Sequence, residues 1–460
     1  MRNETDNARY WLEKAPVPQA IRHMAVPMIL GMAVNMLYNI TDAWFIGLLD
    51  STAALAAVTL ALPFTTILMA LGELFGVGGG TRIARLLGEN DLDGVKKTSS
   101  VSLYLSLLTG LVFACLCLPF LGHIVKVLGA SGETFAATQD YILPFVLGAP
   151  FVTANFTLGQ TVRSEGAAKE SMTGMVIGVV VNILLDPVFI FPLGMGVMGA
   201  AIATVIGNAC GVAYYLWHLG RKSPVQSVSM KDFQPARDML GNIFKIGVSA
   251  FLLSCFLVVS GLLFNNYAMI YGEHVAAAFG VANRVCQIVD FIGMGLYMGV
   301  VPLIAFAYAA GNAERLGGIL RTTAGWLVGV VLGLAAILFV LRAQVIGLFS
   351  SDPEVLAVGE TILTALLAST LFAGLAGLCA SMFQAFGKGV QSNVMSVARG
   401  LALFPVIIAG NALFGLDGVI WSMTAAELCA CATGACLWLL SKRRIMDTPA
   451  EERRAAPDAA

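Results

Sequence analysis

Apolar residues along this chain come in long unbroken blocks, such as "SLLTGLVFACLCLPFLG" from Ser106, with short polar stretches between them. A block of about twenty such residues, coiled as a helix, crosses the ~30 Å hydrocarbon core of a bilayer. A membrane barrel would instead need segments of about ten residues with every second position polar, and the blocks do not alternate. The pattern predicts about twelve helical spans, near residues 23–48, 53–79, 98–122, 136–160, 172–192, 197–219, 241–270, 276–305, 319–341, 356–386, 391–412 and 418–440. The expected fold class is an all-α polytopic membrane protein.

The polar stretches differ in charge, and this orients the spans. Of 27 Lys and Arg residues, 23 fall in the two termini and the even-numbered loops, whereas the odd-numbered loops hold only Lys126 and Arg342. Basic residues stay on the cytoplasmic side, which puts both termini in the cytoplasm and predicts a multi-pass protein of the plasma (inner) membrane. Composition agrees: 58% of residues are hydrophobic and 12% charged, against about 25% charged in soluble domains. No cleavable signal peptide is visible, because Glu4, Asp6, Glu13, Pro16 and Pro18 precede the first apolar block. All nine cysteines fall in predicted spans without a Cys-x-x-Cys pair, as small packing residues would.

The spans repeat. "LAAVTLAL" from Leu55 aligns with "AAAFGVAN" from Ala276, and the same shift of 221 carries Gly78 to Gly299, Glu133 to Glu354 and Gly166 to Gly387. Near the last span the shift slips to 219, from Gly199 to Gly418. A shift of six spans preserves orientation, so the halves are expected to be parallel repeats about an axis along the membrane normal. The expected division is a cytoplasmic N-terminus at 1–22, an N-lobe at 23–219, a charged cytoplasmic linker at 220–240, a C-lobe at 241–440 and a disordered cytoplasmic tail at 441–460.

Seven charges lie deep inside predicted spans, away from their ends: Asp42, Glu73, Asp186, Arg284, Asp290, Arg399 and Glu427. Each costs about 2.5 to 3.5 kcal/mol at a helix centre on insertion scales, so a functional reading is the starting point. Asp42 and Asp186 each sit about two turns before the external end of their helices. Asn182, four residues before Asp186, shares its face, and Thr204 enters the next span to a similar depth. Pro187 lacks an N–H and leaves the Ile183 carbonyl without its helical donor. Two carboxylates, an amide and a hydroxyl at one depth would share one proton or hold one monovalent cation such as Na⁺, with no other metal expected. Glu73 and Glu427 have Arg284 or Arg399 as potential partners, while Arg284 and Asp290, six apart on one helix, do not face each other. Tyr38, Met69, Phe156, Met294, Tyr297 and Met298 would suit the lining of an adaptable cavity, as well as ordinary helix packing.

"LYNITDAWFIG", "GTRIARLLGEND", "NILLDPVFIF" with "GMGVMGAAIAT", and "GVVPLIAFAYAAGN" together resemble the multidrug and toxic compound extrusion (MATE) transporter family, over nearly the whole chain. The resemblance implies two six-helix lobes arranged in a V, expelling cationic or amphiphilic compounds in exchange for H⁺ or Na⁺, without a cofactor. It implies that Asp42, Asn182, Asp186 and Thr204 form an N-lobe cation site, and that Pro27 matches a proline at which the first helix bends in one proposed mechanism. The NorM-like branch also carries acids deep in the seventh and tenth spans. Here the seventh has none and the tenth only Glu360 at its mouth, which resembles the DinF-like branch and places coupling in the N-lobe.

Three other functions fit less well. A flippase for lipid-linked sugars would line its cavity with several basic residues for pyrophosphate, and only Arg284 and Arg399 lie in mid-span. A membrane-embedded enzyme would need a catalytic constellation, and the spans hold no His-Glu-x-x-His and no Cys/His cluster. A major-facilitator carrier would show Gly-x-x-x-Asp-Arg in the second loop, which reads "TRIARLLGENDLDGVKK". The expected partners are small organic cations or amphiphilic drugs and the lipid bilayer, with no nucleic acid, and the expected state is a monomer.

Overall fold

The structure is a computed structural model that describes residues 9–49, 51–348 and 353–447. The first half contains α1 (Val17–Gly47), α2 (Thr52–Gly88), α3 (Leu92–Cys117), α4 (Leu121–Val127), α5 (Glu133–Leu147), α6 (Ala149–Ser164), α7 (Ala168–Ile190) and α8 (Gly196–Arg221). The second contains α9 (Arg237–Ile270), α10 (Glu273–Gly299), α11 (Val301–Ala309), α12 (Ala313–Val340), α13 (Arg342–Gly347), α14 (Pro353–Ala385), α15 (Gly389–Leu401), α16 (Leu403–Phe414) and α17 (Leu416–Asp447). Among the described residues there is no strand. Eleven of these helices or helix runs are long and apolar enough to cross a membrane, and α5 with α6 forms a twelfth, bent by 59°.

The bend has a local cause. The sequence pattern predicts one uninterrupted span at 136–160, but Pro150 opens α6 and cannot donate to the carbonyl one turn back. Gly148 closes α5 by donating its N–H to the Pro144 carbonyl at 2.8 Å. Elsewhere polar side chains set the ends. Ser51 accepts from the Ala54 N–H at 3.2 Å, Asp91 from Gly94 at 2.9 Å and Asn312 from Arg315 at 2.9 Å, each satisfying an amide that the first helical turn leaves without a partner.

The repeat read from the sequence is present in the helices. α2 and α10 begin 221 residues apart (52 and 273), as do α3 and α12 (92 and 313) and α7 and α15 (168 and 389). The turn before α3 holds Asn90 at φ 62°, the one non-glycine at positive φ among the described residues. Its counterpart 221 positions on is Gly311, at φ 73°. Glycine enters that conformation without steric cost and asparagine tolerates it, so both halves make the same turn with different residues.

Contacts divide the chain into two compact units. Unit 1 holds Leu30–Ser254 together with the described residues up to Ala15, and unit 2 holds Pro16–Ile29 and the chain from Cys255. Two helices therefore change unit partway. α1 changes between Ile29 and Leu30, just after Pro27, and α9 changes between Ser254 and Cys255.

Inside unit 1 the first part of α9 lies against α2 so closely that a Cβ on Gly78 would stand 2.2 Å from the Ile243 carbonyl oxygen. Inside unit 2, α1 crosses α10 in the same way, with a Cβ on Gly299 reaching 2.8 Å from the Ala25 Cα. Gly78 and Gly299 are repeat partners, so the missing side chain serves one crossing in each half. Close backbone approach of this kind holds membrane helices together, since lipid removes most of the hydrophobic driving force. Threonines add bonds between helices: Thr153 donates to the Ser106 carbonyl and Thr157 to that of Gly72, both at 2.9 Å.

The segment between α8 and α9 is tied to unit 1. Ser99 donates to the Ser227 carbonyl at 3.0 Å, Ser100 to that of Ser229 at 2.9 Å and Tyr104 to that of Val228 at 2.8 Å. Buried Glu165 accepts from Ser223 at 2.6 Å and lies 3.2 Å from the buried His218 ring. At the far end α17 runs helical to Asp447, and the rest of the tail expected to be disordered lies outside the described residues.

Candidate functional site

α7 and α8 pack along each other in unit 1, and their polar residues meet in the middle of the pair. A Cβ on Gly207 would stand 2.4 Å from the Gly178 carbonyl oxygen, so the two backbones touch there. That approach brings Asn182 within reach of Thr204.

The Asn182 amide nitrogen donates to Asp186 Oδ1 at 3.2 Å and to Thr204 Oγ1 at 3.1 Å. Thr204 passes its own proton to the Ala200 carbonyl at 3.1 Å and therefore accepts from its neighbours. Tyr38 Oη of α1 lies 3.2 Å from Thr204 Oγ1 and is thus the donor of that bond. Behind them Asn208 donates to the Thr204 carbonyl and Asn155 donates to Asn208, both at 2.8 Å. Asp186 is fully buried, Asn182 and Thr204 nearly so. Asp42, one turn beyond Tyr38 on α1, is half-buried and within electrostatic reach of Asp186.

Donors and acceptors do not balance. Asn182 has committed its amide protons and Thr204 its hydroxyl proton. Asp42 Oδ1, Asn182 Oδ1 and Asp186 Oδ2 are buried with no hydrogen-bond partner among the described residues. Orphaned acceptors are costly away from water, and two of these belong to carboxylates. A proton shared by the acids, or a small hard cation held by oxygens, is the kind of group such an arrangement could accept. Among the described residues no three His, Cys, Asp or Glu side chains come together as a metal site.

The structure thus brings together Asp42, Asn182, Asp186 and Thr204, and adds Tyr38, which the sequence suggested for a cavity lining. Tyr141 of α5 also lies within electrostatic reach of Asp42 and Asp186 and was not anticipated. Tyr38 had a signal, being four residues before Asp42 on one helical face. Tyr141 had none, because only the packing of α5 brings it there.

The second half carries no copy of this arrangement. A shift of 221 takes Asp42, Asn182 and Asp186 to Leu263, Leu403 and Ile407, and the shift of 219 takes Thr204 to Met423. These four pack in one apolar cluster of unit 2 with Val419, Ala426 and neighbouring aromatics.

The remaining intramembrane charges are placed as follows. Glu73 accepts from Ser254 at 3.2 Å and lies within reach of Arg163, all in unit 1, so its partners are not Arg284 or Arg399. Glu427 does pair with Arg399, through Nε–Oε2 at 3.3 Å and Nη2–Oε1 at 3.2 Å. Asp290 and Arg284 are exposed. The six cavity candidates divide between the units: Tyr38, Met69 and Phe156 in unit 1, Met294, Tyr297 and Met298 in unit 2. Met69 and Phe156 pack half-buried against the core around Leu68 and Phe145.

Known proteins share this chain's sequence pattern and fold. The MatE family model matches residues 27–188 and 249–408, once in each half and 222 residues apart at the start (249 − 27). Multidrug export protein MepA of Staphylococcus aureus is 39% identical over 445 residues, which cover 96% of this chain and 98% of that protein. A crystal structure of MATE in complex with MaL6 superposes with a TM-score of 0.90 at 26% identity, covering 95% of this chain and 99% of the other. The outward-facing conformation of a multidrug resistance MATE family transporter of the MOP superfamily gives 0.89 at 26% identity, covering 95% and 98%. With a matched family model over most of its length, a relative 39% identical over nearly the whole chain and the same helical fold, the chain belongs to the MATE family of transporters.

Proposed function

We propose that this protein exports cationic or amphiphilic organic compounds across the plasma membrane, in exchange for H⁺ or Na⁺ bound by Asp42, Asn182, Asp186 and Thr204. The observation that supports the coupling site is the trio of buried, unpartnered oxygens on Asp42, Asn182 and Asp186, two of them on carboxylates, which a proton or a monovalent cation would satisfy. The relatives named multidrug export proteins support the direction and the substrate class. Both termini are cytoplasmic and the monomer is the working unit.

An ion at this site joins α1 to α7 and α8. When it leaves, two like charges face each other and α1 is released from that face. Because α1 changes unit just after Pro27, a bend at that proline converts ion occupancy into motion of the helix, as alternating access requires. The six-helix repeats are the bodies that exchange access.

The test is transport by the purified protein in liposomes, with a H⁺ or a Na⁺ gradient imposed separately and a cationic dye as cargo. Dye movement driven by one gradient, and abolished when it is collapsed, is the expected result. Failure to move any cationic dye, with rescue of a strain lacking a lipid-linked sugar flippase, overturns the reading.

A further inference from the structure

Unit 2 lacks the ion site, yet it holds its own group of charges at membrane depth. Arg399 of α15 and Glu427 of α17 are bonded through two contacts of 3.2 and 3.3 Å and are only 10% and 16% exposed. Tyr297 of α10 lies within electrostatic reach of Arg399 as well. Asp290, also on α10, interacts electrostatically with both members of the pair but is itself exposed. The repeat positions of these residues in unit 1 are Met69 for Asp290, Gly178 for Arg399, Asn208 for Glu427 and Gly76 for Tyr297, so nothing in the shared fold requires a charge there.

Within this cluster the formal charges do not cancel, since Arg284, six residues from Asp290, lies off its face of the helix. Arg399 and Glu427 neutralise each other, and Asp290 leaves one negative charge over. An exposed carboxylate in the middle of a 37-residue span, Glu273–Ala309, is expensive against lipid and stable only against water or a counter-ion. Met294, Tyr297 and Met298 lie one and two turns further along the same helical face, all half-buried. A single net charge beside thioether and aromatic surface is complementary to a large, flat, singly charged organic cation.

We propose that Asp290 is the counter-ion for the exported cation and that the Arg399–Glu427 pair sets the net charge of this subsite at −1, so that unit 2 selects singly over doubly charged compounds. This rests on the export function proposed above and adds to it a rule for substrate charge. Arg399 acts as a built-in cation: it stabilises Glu427 in the membrane and removes it from the count that a substrate meets.

The rule predicts ratios. Ethidium and propidium share one ring system and carry one and two positive charges, so their relative initial rates read charge with shape held nearly fixed. Rates are measured in everted membrane vesicles containing DNA, at matched protein abundance. Arg399→Gln raises the net charge to −2 and should raise the propidium-to-ethidium ratio roughly tenfold. Asp290→Asn and Glu427→Gln bring it to zero and should lower the rate for both dyes relative to a neutral amphiphile. The double variant Arg399→Gln with Glu427→Gln restores −1 through Asp290 alone. Its ratio should return to within about twofold of wild type, even if its absolute rates fall, and it decides the matter should Arg399→Gln misfold by leaving Glu427 unpaired. A ratio that ignores these changes in net charge, or Asp290→Asn losing neutral and cationic cargo equally, overturns the proposal while leaving export intact. Wild type moving neither dye, nor any other cation, removes the export function and this rule with it.

Discussion

Tyr38 and Thr204, 166 positions apart in the chain, are joined by a hydrogen bond of 3.2 Å in which the tyrosine is the donor. It is a hydrogen-bonded link from α1 to the α7–α8 pair. Tyr38→Phe removes it and leaves every carboxylate in place. A bond of this kind contributes about 1 kcal/mol, so ion affinity should fall roughly fivefold. Thermal unfolding of the purified variant against Na⁺ concentration, and against pH, measures this. An unchanged midpoint would mean that α1 is held by Asp42 alone.

Asp42→Asn and Asp186→Asn should each abolish gradient-driven export, and the double variant should be no worse than the worse single one, because both act through one bound ion. Folding should survive, since an amide is cheaper in the membrane than a carboxylate. Wild type gains stability as the coupling ion is added, by RT ln(1 + [ion]/Kd), and Asp186→Asn should not. Coupled export at full rate by Asp186→Asn would reduce the residue to a packing role.

Gly207→Ala should uncouple the transporter without touching a ligand. The new Cβ would stand 2.4 Å from the Gly178 carbonyl oxygen, and the backbone cannot yield as a side chain would. The α7–α8 pair must open, which breaks the 3.1 Å bond between Asn182 and Thr204. Loss of ion-dependent stabilisation with abundance near wild type is the expected result. Intact ion binding would show that the helices relax elsewhere.

Ile407→Asp places a carboxylate in unit 2 at the repeat position of Asp186. There Leu263, Leu403 and Met423 offer it neither donor nor cation. The variant should be destabilised by about 3 kcal/mol or be poorly inserted, and it should acquire no ion dependence. Differential scanning fluorimetry across a Na⁺ series checks both. Gain of an ion response would mean that the second half retains more of the site than its side chains display.

The helices and their pairing were largely legible, because membrane spans are written as apolar length and the repeat as a constant shift. The site was partly legible. Asn182 and Asp186 announce a common face by their spacing of four, and Asp42 and Thr204 join them by depth along their own spans. Tyr38 carried the same spacing from Asp42, but an aromatic at that position reads equally as lining. The sequence offered Arg399 as a potential partner of Glu427, 28 residues on, and the structure makes that pair. What could not be read was set by the packing of distant helices: Glu73 finding Ser254, or Tyr141 coming within electrostatic reach of the acids. The bend at Gly148 was signalled by Pro150, yet the apolar block around it runs on without a break.

Synthesis of the chain runs in one direction, and the division of α1 imposes an order of events on it. Residues Pro16–Ile29 leave the ribosome before Leu30–Ser254 of unit 1, while the unit they complete is otherwise built from Cys255 onward. Unit 1, by contrast, is finished once Ser254 has emerged. These turns of α1 must therefore wait through the synthesis of Leu30–Ser254 before their neighbours on α10 exist. Biogenesis of the second unit closes on the beginning of the chain, so a truncated N-terminus should harm the half of the molecule made last.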